Sequence, residues 1–354
     1  MQFTKKKHKK FIKKDFSDFI LGGDIGGTHT NLGLFGIKNE FPQLLDSFHF
    51  KSKSLKDLYS AIEIAIKSAN DNHNIKIKKC CLGIAGALTY KRDYVRLTNA
   101  NLEFDKKVSA RKLGIKDVLL VNDFEAVGYS INILGKNDIK TIKKGKKFQN
   151  APKLVIGAGT GLGKSLLIYD SRSKYYNPLP SEVHHSDFAA QNSLESGLAD
   201  FIKKRKKIRH NVSNGDILSG EGLSNIYFFL RNSKRYKETE YTRKIGKSSA
   251  LPEMVSKYRK SDATCRQTFN IFMEEYARLA KNLALDSIPR GGIYIAGGIA
   301  QKNRGIFNKK FVKIFHSNQK LTGILKDIPI YLITNSDAGL LGAGLAGLQK
   351  FIKR

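Results

Sequence analysis

Cysteine is scarce, with Cys80, Cys81 and Cys265 the only three in 354 residues. No pair has the spacing of metal ligands, and the odd, low count fits a reducing cytoplasm. Long apolar runs are missing too. No stretch reaches membrane-spanning length and none has the form of a secretory h-region, which predicts a soluble, cytoplasmic protein that is not exported. Acidic residues are outnumbered, 31 against 63 basic ones, for a net charge of +32. Residues 1–16 hold seven lysines and Asp15, so the excess persists without them and is global. Such a field attracts polyanions, nucleic acid and nucleotides among them. The dense basic runs, such as Lys203 to Arg209, lack interleaved stacking aromatics, which favours a solvated surface over a nucleic-acid groove. The lysine-rich segment 1–16 reads as a disordered tail.

The chain has the length for two domains, and 41% hydrophobic residues can build real cores. Strand-like and helix-like segments alternate, with glycines at the junctions. KKCCLGIAGAL (78–88) is a short apolar strand followed by glycine. DVLLVNDFEAVGYSINIL (117–134) is a buried strand, a polar pair, then a helical pattern. KLVIGAGTGLGKSLLIYD (153–170) reads strand, glycine loop, strand, and GGIYIAGGIAQKN (291–303) reads strand, Gly-Gly, helix. DAGLLGAGLAGLQKFI (337–352) is a helix rich in small residues. This is an α/β chain, and ligands in such folds sit where strands end in loops.

Two motifs imitate other folds. AGTGLGKS (158–165) resembles a P-loop, but a P-loop opens onto a helix and Leu166 to Tyr169 continue as a strand. GAGLAG (342–347) fits the dinucleotide pattern but has no room after it for the required βαβ unit. LGGDIGGTHTNLGLFG (21–36) reads as a hairpin with Asp24, Gly26, Gly27 and Thr28 at or beside its turn. Glycines let a ligand approach the main chain, free N–H groups suit an anion, and a nearby carboxylate suits a cation.

Taken in order, LGGDIGGTHTNLGLF (21–35), LGIAGAL (82–88), LTN (97–99), VNDFEAV (121–127), IGAGTGLGKSLL (156–167), LPSEVHHSDF (179–188), ILSGEGLSNIY (217–227), IYIAGGI (293–299) and GLLGAGLAG (339–347) resemble the bacterial-type glucokinase family. That family sits within the sugar kinase, heat-shock and actin superfamily. The resemblance covers nearly the whole chain after residue 18. It implies a two-domain actin-like, ribonuclease H-like α/β fold with an interdomain cleft. The small domain would take 17–121 plus 338–354 and the large one 122–337. It implies ATP and Mg²⁺, with Asp24 holding the metal. Gly26, Gly27 and Thr28 would meet the phosphates, with Gly159, Thr160 and Gly161 facing them from the other domain. Gly297 and Gly298 would let the chain pass close to the adenosine. Asp123 matches the family's catalytic base. Asn99, Asn122, Asp123, Glu182 and His185 match its sugar contacts. The implied activity is phosphorylation of glucose to glucose 6-phosphate in the cytoplasm, by a family that commonly forms homodimers.

Three departures from the family stand out. Gly215 stands where a glutamate usually binds sugar, with Asp216 adjacent as a substitute ligand. Val183-His184 stands where two glycines are usual. Lys164, expected to face solvent, replaces an apolar residue. Gly215 and Val183 motivate the alternative of another hexose or an amino sugar. The +32 charge motivates a non-enzyme alternative, a nucleic-acid-associated regulatory protein on the same fold. A metal site at His184, His185 and Asp187 lacks a further ligand cluster.

Overall fold

The computed structural model describes residues 2–8, 10–97 and 100–352. Its strands are β1 (Phe3–Lys7), β2 (Asp18–Ile25), β3 (His29–Lys38), β4 (Phe41–Lys51), β5 (Lys79–Ile84), β6 (Tyr94–Arg96), β7 (Glu103–Asp105), β8 (Asp117–Asn122), β9 (Ile139–Lys143), β10 (Lys153–Ala158), β11 (Leu162–Asp170), β12 (Tyr175–Leu179), β13 (Ile293–Ala296) and β14 (Ile330–Ile333). Its helices are α1 (Leu58–His73), α2 (Lys106–Leu113), α3 (Asp123–Ser130), α4 (Ser193–Lys206), α5 (Gly220–Asn232), α6 (Glu240–Gly246), α7 (Leu251–Tyr258), α8 (Ala263–Ser287), α9 (Gly298–Lys302), α10 (Lys309–His316), α11 (Thr322–Asp327) and α12 (Ala338–Phe351). Among the described residues no helix is long and apolar enough to cross a membrane.

The chain divides into two compact units. The first is Met1–Asp138, Leu167–Pro180 and Asn335–Arg354, and the second is Ile139–Leu166 and Ser181–Thr334. The boundary expected at 121/122 falls inside the first unit. Helix α3 packs on α12 and on β12, which keeps residues 123–138 and 167–180 with the N-terminal sheet.

The first unit is built on the sheet β1-β4-β3-β2-β5-β8. Strands β1, β4, β3 and β2 pair antiparallel, whereas β2, β5 and β8 run parallel. Successive side chains on a strand face opposite ways. Leu21 and Leu82 pack in the cluster that holds Leu58 and Ile62 of α1. Their neighbours Ile20 and Cys81 pack with Leu345 and Ala343 of α12. The parallel strands are covered on both faces, which is why they read as continuous apolar runs.

Where the sequence suggests a tail, the described residues 2–8 and 10–16 make contacts with the rest of the first unit. Strand β1 pairs along β4 from Phe3 opposite Phe50 to Lys7 opposite Asp46. Phe3 stacks on Phe50 with ring centroids 5.3 Å apart, and Lys5 reaches buried Asp46 at 3.0 Å. Phe16 lies beside Phe11 and fills the space over Gly36. Counting lysines missed Phe11 and Phe16, half-buried against the core of this unit, and Phe3, which stacks on Phe50 while staying exposed.

The second unit carries β10, β13 and β14 in parallel, with β9 antiparallel on the far side of β14. Helices α5, α8 and α10 supply its core through Ile226, Phe272, Tyr276, Phe311 and Phe315. The P-loop lookalike runs straight into strand β11, and GAGLAG lies within α12.

Candidate active site

In the first unit Ile25, Ile84 and Asn122 are in register across β2, β5 and β8. The carboxyl ends of these parallel strands form one edge, where open α/β sheets bind ligands. Asp24 lies one residue back on β2, opposite Asn31 of β3. Its carboxylate rests against the first turn of α12. A Cβ at Gly339 would come within 2.8–3.0 Å of the carboxylate atoms, so glycine leaves the room they need. Burial raises the Asp24 pKa from 3.8 to about 6; a hydrogen bond from Asn31 opposes this and the charge of Asp337 adds to it. Among the described residues no three His, Cys, Asp or Glu side chains cluster as a metal cage. Two interacting carboxylates, Asp24 and Asp337, suit an ion such as Mg²⁺, which keeps much of its water and takes other ligands from phosphate.

The turn after Asp24 is pinned by the residue that follows β4. The Gly26 N–H donates to the His29 carbonyl at 2.8 Å. The buried Ser52 donates its hydroxyl to the Gly26 carbonyl at 2.6 Å and its N–H to the Thr28 carbonyl at 3.0 Å. The Gly26-Gly27-Thr28 segment is thereby held in one shape. Ser52 carried no sequence signal, being remote in the chain and in no motif.

Asn122 and Asp123 end β8 and begin α3. Asn122 caps the helix: its Oδ1 accepts from the Phe124 N–H at 2.9 Å, and Glu125 accepts from the Asn122 N–H at 2.9 Å. This capping box fixes the backbone and leaves the Asn122 amide NH₂ as the group able to donate elsewhere. Buried Glu125 is held in turn by Arg92, whose Nη1 lies 3.0 and 3.1 Å from its two oxygens. Arg92 has φ of 49°, the left-handed region. Asp123, half-buried at the first helical position, accepts from the Phe124 N–H at 3.0 Å. Asn99 lies outside the described residues.

In the second unit the ends of β10 and β13 are adjacent, with Gly157 opposite Ala296. The loop Gly159-Thr160-Gly161 and the pair Gly297-Gly298 follow these ends directly and share one edge. Gly297 has φ of +92°, and a Cβ on it would meet the Ala158 carbonyl at 2.4 Å. No other residue type passes there without strain. Gly159 and Gly298 have open space where a Cβ would stand.

Glu182 and His185 are exposed on a short turn of the same unit. Between them His184 is drawn inward. Its Nδ1 accepts the Leu162 N–H at 3.1 Å, tying this turn to the glycine loop. Its ring lies over Gly215, where a Cβ would come within 2.3–2.4 Å of it. The two sequence departures are thus one arrangement: an imidazole at 184 fills the space that a side chain at 215 would take. Burial lowers the His184 pKa, and His185 adds to the effect.

Two expectations need correction. Asp216 does not present a carboxylate to a ligand. It is 6% exposed, and it accepts from Lys206 at 2.6 Å and from the N–H and hydroxyl of Ser213 at 2.8 Å each. These bonds lower its pKa against the opposing effect of burial, which is the largest single influence. Lys164 does not face solvent. Its side chain is 15% exposed and its ammonium lies 3.7 Å from Asp286.

The glucokinase family model matches residues 21–350 of this chain. A glucokinase of Trichormus variabilis is 35% identical over 347 residues, covering 93% of this chain and 99% of that protein. One of Pectobacterium atrosepticum is 31% identical over 329 residues, covering 92% and 96%. Among solved structures, a glucokinase from an Antarctic psychrotroph superposes with a TM-score of 0.74 at 24% identity, over 93% of this chain and 98% of that one. A Balamuthia mandrillaris glucokinase in complex with glucose gives 0.76 at 20% identity, over 93% of each chain. The fold is the two-domain actin-like α/β fold of sugar kinases. Sequence, order of motifs and fold agree, and the chain belongs to the glucokinase family.

Proposed function

We propose that this protein transfers the γ-phosphoryl group of ATP to the 6-hydroxyl of glucose, with Asp123 as general base. The observation that carries the reading is the strand edge of the first unit. Asp24 and Asp123 stand at the ends of β2 and β8, with one strand between them, and each is set by a backbone capping or turn network. One carboxylate suits a metal–phosphate and the other a hydroxyl.

In this reading Asp123 accepts the hydroxyl proton as the sugar oxygen attacks phosphorus in line. Phosphoryl transfer needs positioning and charge neutralisation more than a strong base, so an ordinary carboxylate suffices. The Asn122 NH₂ donates to a neighbouring hydroxyl. Glu182 accepts from two more, and His185 donates or accepts beside it. Asn99 completes the sugar contacts by its match to the family motif. Gly26, Gly27 and Thr28, with Gly159, Thr160 and Gly161, offer donors to the phosphates, while Gly297 and Gly298 keep the wall beside adenosine thin. Asp24 would hold magnesium, which would supply charge neutralisation on the phosphates. The reading also carries a cytoplasmic location and a homodimer, and light scattering on purified protein tests the homodimer.

The imidazole over Gly215 favours one further reading, a kinase for another hexose or an amino sugar. A donor stands where the family places a carboxylate, and sites that pair hydroxyls discriminate sharply between sugars. ADP release with Mg-ATP, measured across glucose, mannose, fructose, galactose and N-acetylglucosamine, separates the two. Preference for glucose supports the first. Preference for another sugar keeps the mechanism and moves the substrate.

A further inference from the structure

A line of hydrogen bonds runs through the first unit from its N-terminal segment to Asp24. His8 Nε2 lies 2.8 Å from the hydroxyl of Ser47. That hydroxyl lies 2.9 Å from His49 Nε2. His49 Nδ1 lies 2.9 Å from Asn31 Oδ1, and Asn31 bonds to Asp24. Ser47 is 1% exposed. Strand β4 contributes Ser47 and His49, β3 contributes Asn31 and β2 contributes Asp24, in sheet order.

Direction follows from chemistry. A carboxylate only accepts, so Asn31 gives it the NH₂ and turns Oδ1 to His49. His49 Nδ1 then carries its proton. With one ring proton, Nε2 accepts from the Ser47 hydroxyl, and the Ser47 oxygen accepts from His8. Every donor points toward Asp24. An asparagine amide is nearly symmetric in shape, so packing alone does not choose between its two flips. The wrong flip would set Oδ1 against the carboxylate. The carboxylate disfavours that flip, and the Nδ1–H of His49, which needs Oδ1 as its acceptor, holds the right one from the other side. Burial holds His49 below its ordinary pKa, consistent with a single ring proton; Asp337 opposes this, and Lys6, His8 and His29 reinforce it.

We propose that His49 is a positioning residue for Asp24, acting through the Asn31 amide, and that His8 of the N-terminal segment anchors the line. The inference rests on the reading that Asp24 faces the nucleotide's magnesium. Neither histidine touches a reactant.

The test is calorimetric binding of a non-hydrolysable ATP analogue with excess Mg²⁺ to the full chain, with glucose binding and the melting temperature recorded beside it. His49→Leu is expected to weaken analogue binding about tenfold and to leave glucose binding within about twofold. His49→Gln should restore most of the loss, because its carboxamide donates to Asn31 and accepts from Ser47. His8→Leu should give a smaller loss of the same kind. Analogue binding unchanged in His49→Leu, while Asp24→Asn loses it, would overturn the inference and leave the reading of Asp24 standing. Unchanged binding in Asp24→Asn would overturn that reading and this inference with it. If His49→Leu does not fold, His8→Leu decides: equal affinity at an equal melting temperature overturns the inference.

Discussion

Asp123 occupies the first turn of α3 on a backbone already fixed by Asn122 and Glu125. Replacing its carboxylate by a carboxamide keeps the shape and removes the proton acceptor. Asp123→Asn should lower kcat by at least about a hundredfold while glucose still binds, read by turnover and by calorimetry. At 215 the argument is steric. Gly215→Ala should cost about 1–3 kcal/mol, because the new Cβ meets the His184 ring. In a His184→Gly background the same change should cost little, and a double-mutant cycle in urea measures the difference. The sequence marked Asp24, Asn122 and Asp123 through motif and strand end. It could not mark Ser52, the approach of Gly339 to Asp24 or the pairing of Arg92 with Glu125, because those contacts join segments far apart in the chain. It flagged Gly215 and His184 as separate oddities, and only the folded turn shows that one explains the other.

The β2–β3 hairpin was legible as an element, since two apolar runs flank a glycine turn. The environment that it creates for Asp24 was not. Asp24 ionises near pH 6 in the folded chain and near its ordinary value of 3.8 when unfolded. Between those values the folded chain holds a proton that the unfolded chain has lost. The associated stability is present below pH 3.8 and is lost as pH rises through 6, on the order of 3 kcal/mol. Asp24→Asn carries no such charge. Its melting temperature should exceed that of the parent at pH 8 without ligand, and the gap should shrink toward pH 4. A gap that stays constant with pH would contradict the assignment. Strand β1 makes the opposite lesson: lysine content suggested disorder, while Phe3, Phe11 and Phe16 dock the segment. Removing residues 2–7 exposes the edge of β4 and should lower the melting temperature by a few degrees and promote aggregation, seen by light scattering.

Across the whole molecule, the alternation of strands and glycine junctions was enough to give an α/β class, and the ordered motifs were enough to give the family. The unit boundaries were not legible, because α3 and β12 are assigned by packing against α12 and its neighbours rather than by sequence position. The charge of +32 acts at this scale. It should raise the local concentration of anionic nucleotide, so KM for ATP should rise severalfold as NaCl goes from about 0.05 to about 0.5 M with little change in kcat. The central claim is the reaction itself, and one measurement reaches it most directly: ADP release from Mg-ATP with and without glucose, in the parent and in Asp123→Asn. The account predicts glucose-dependent release in the parent and its loss by at least about a hundredfold in the variant. No glucose-dependent release in the parent, or equal release in the variant, would contradict it.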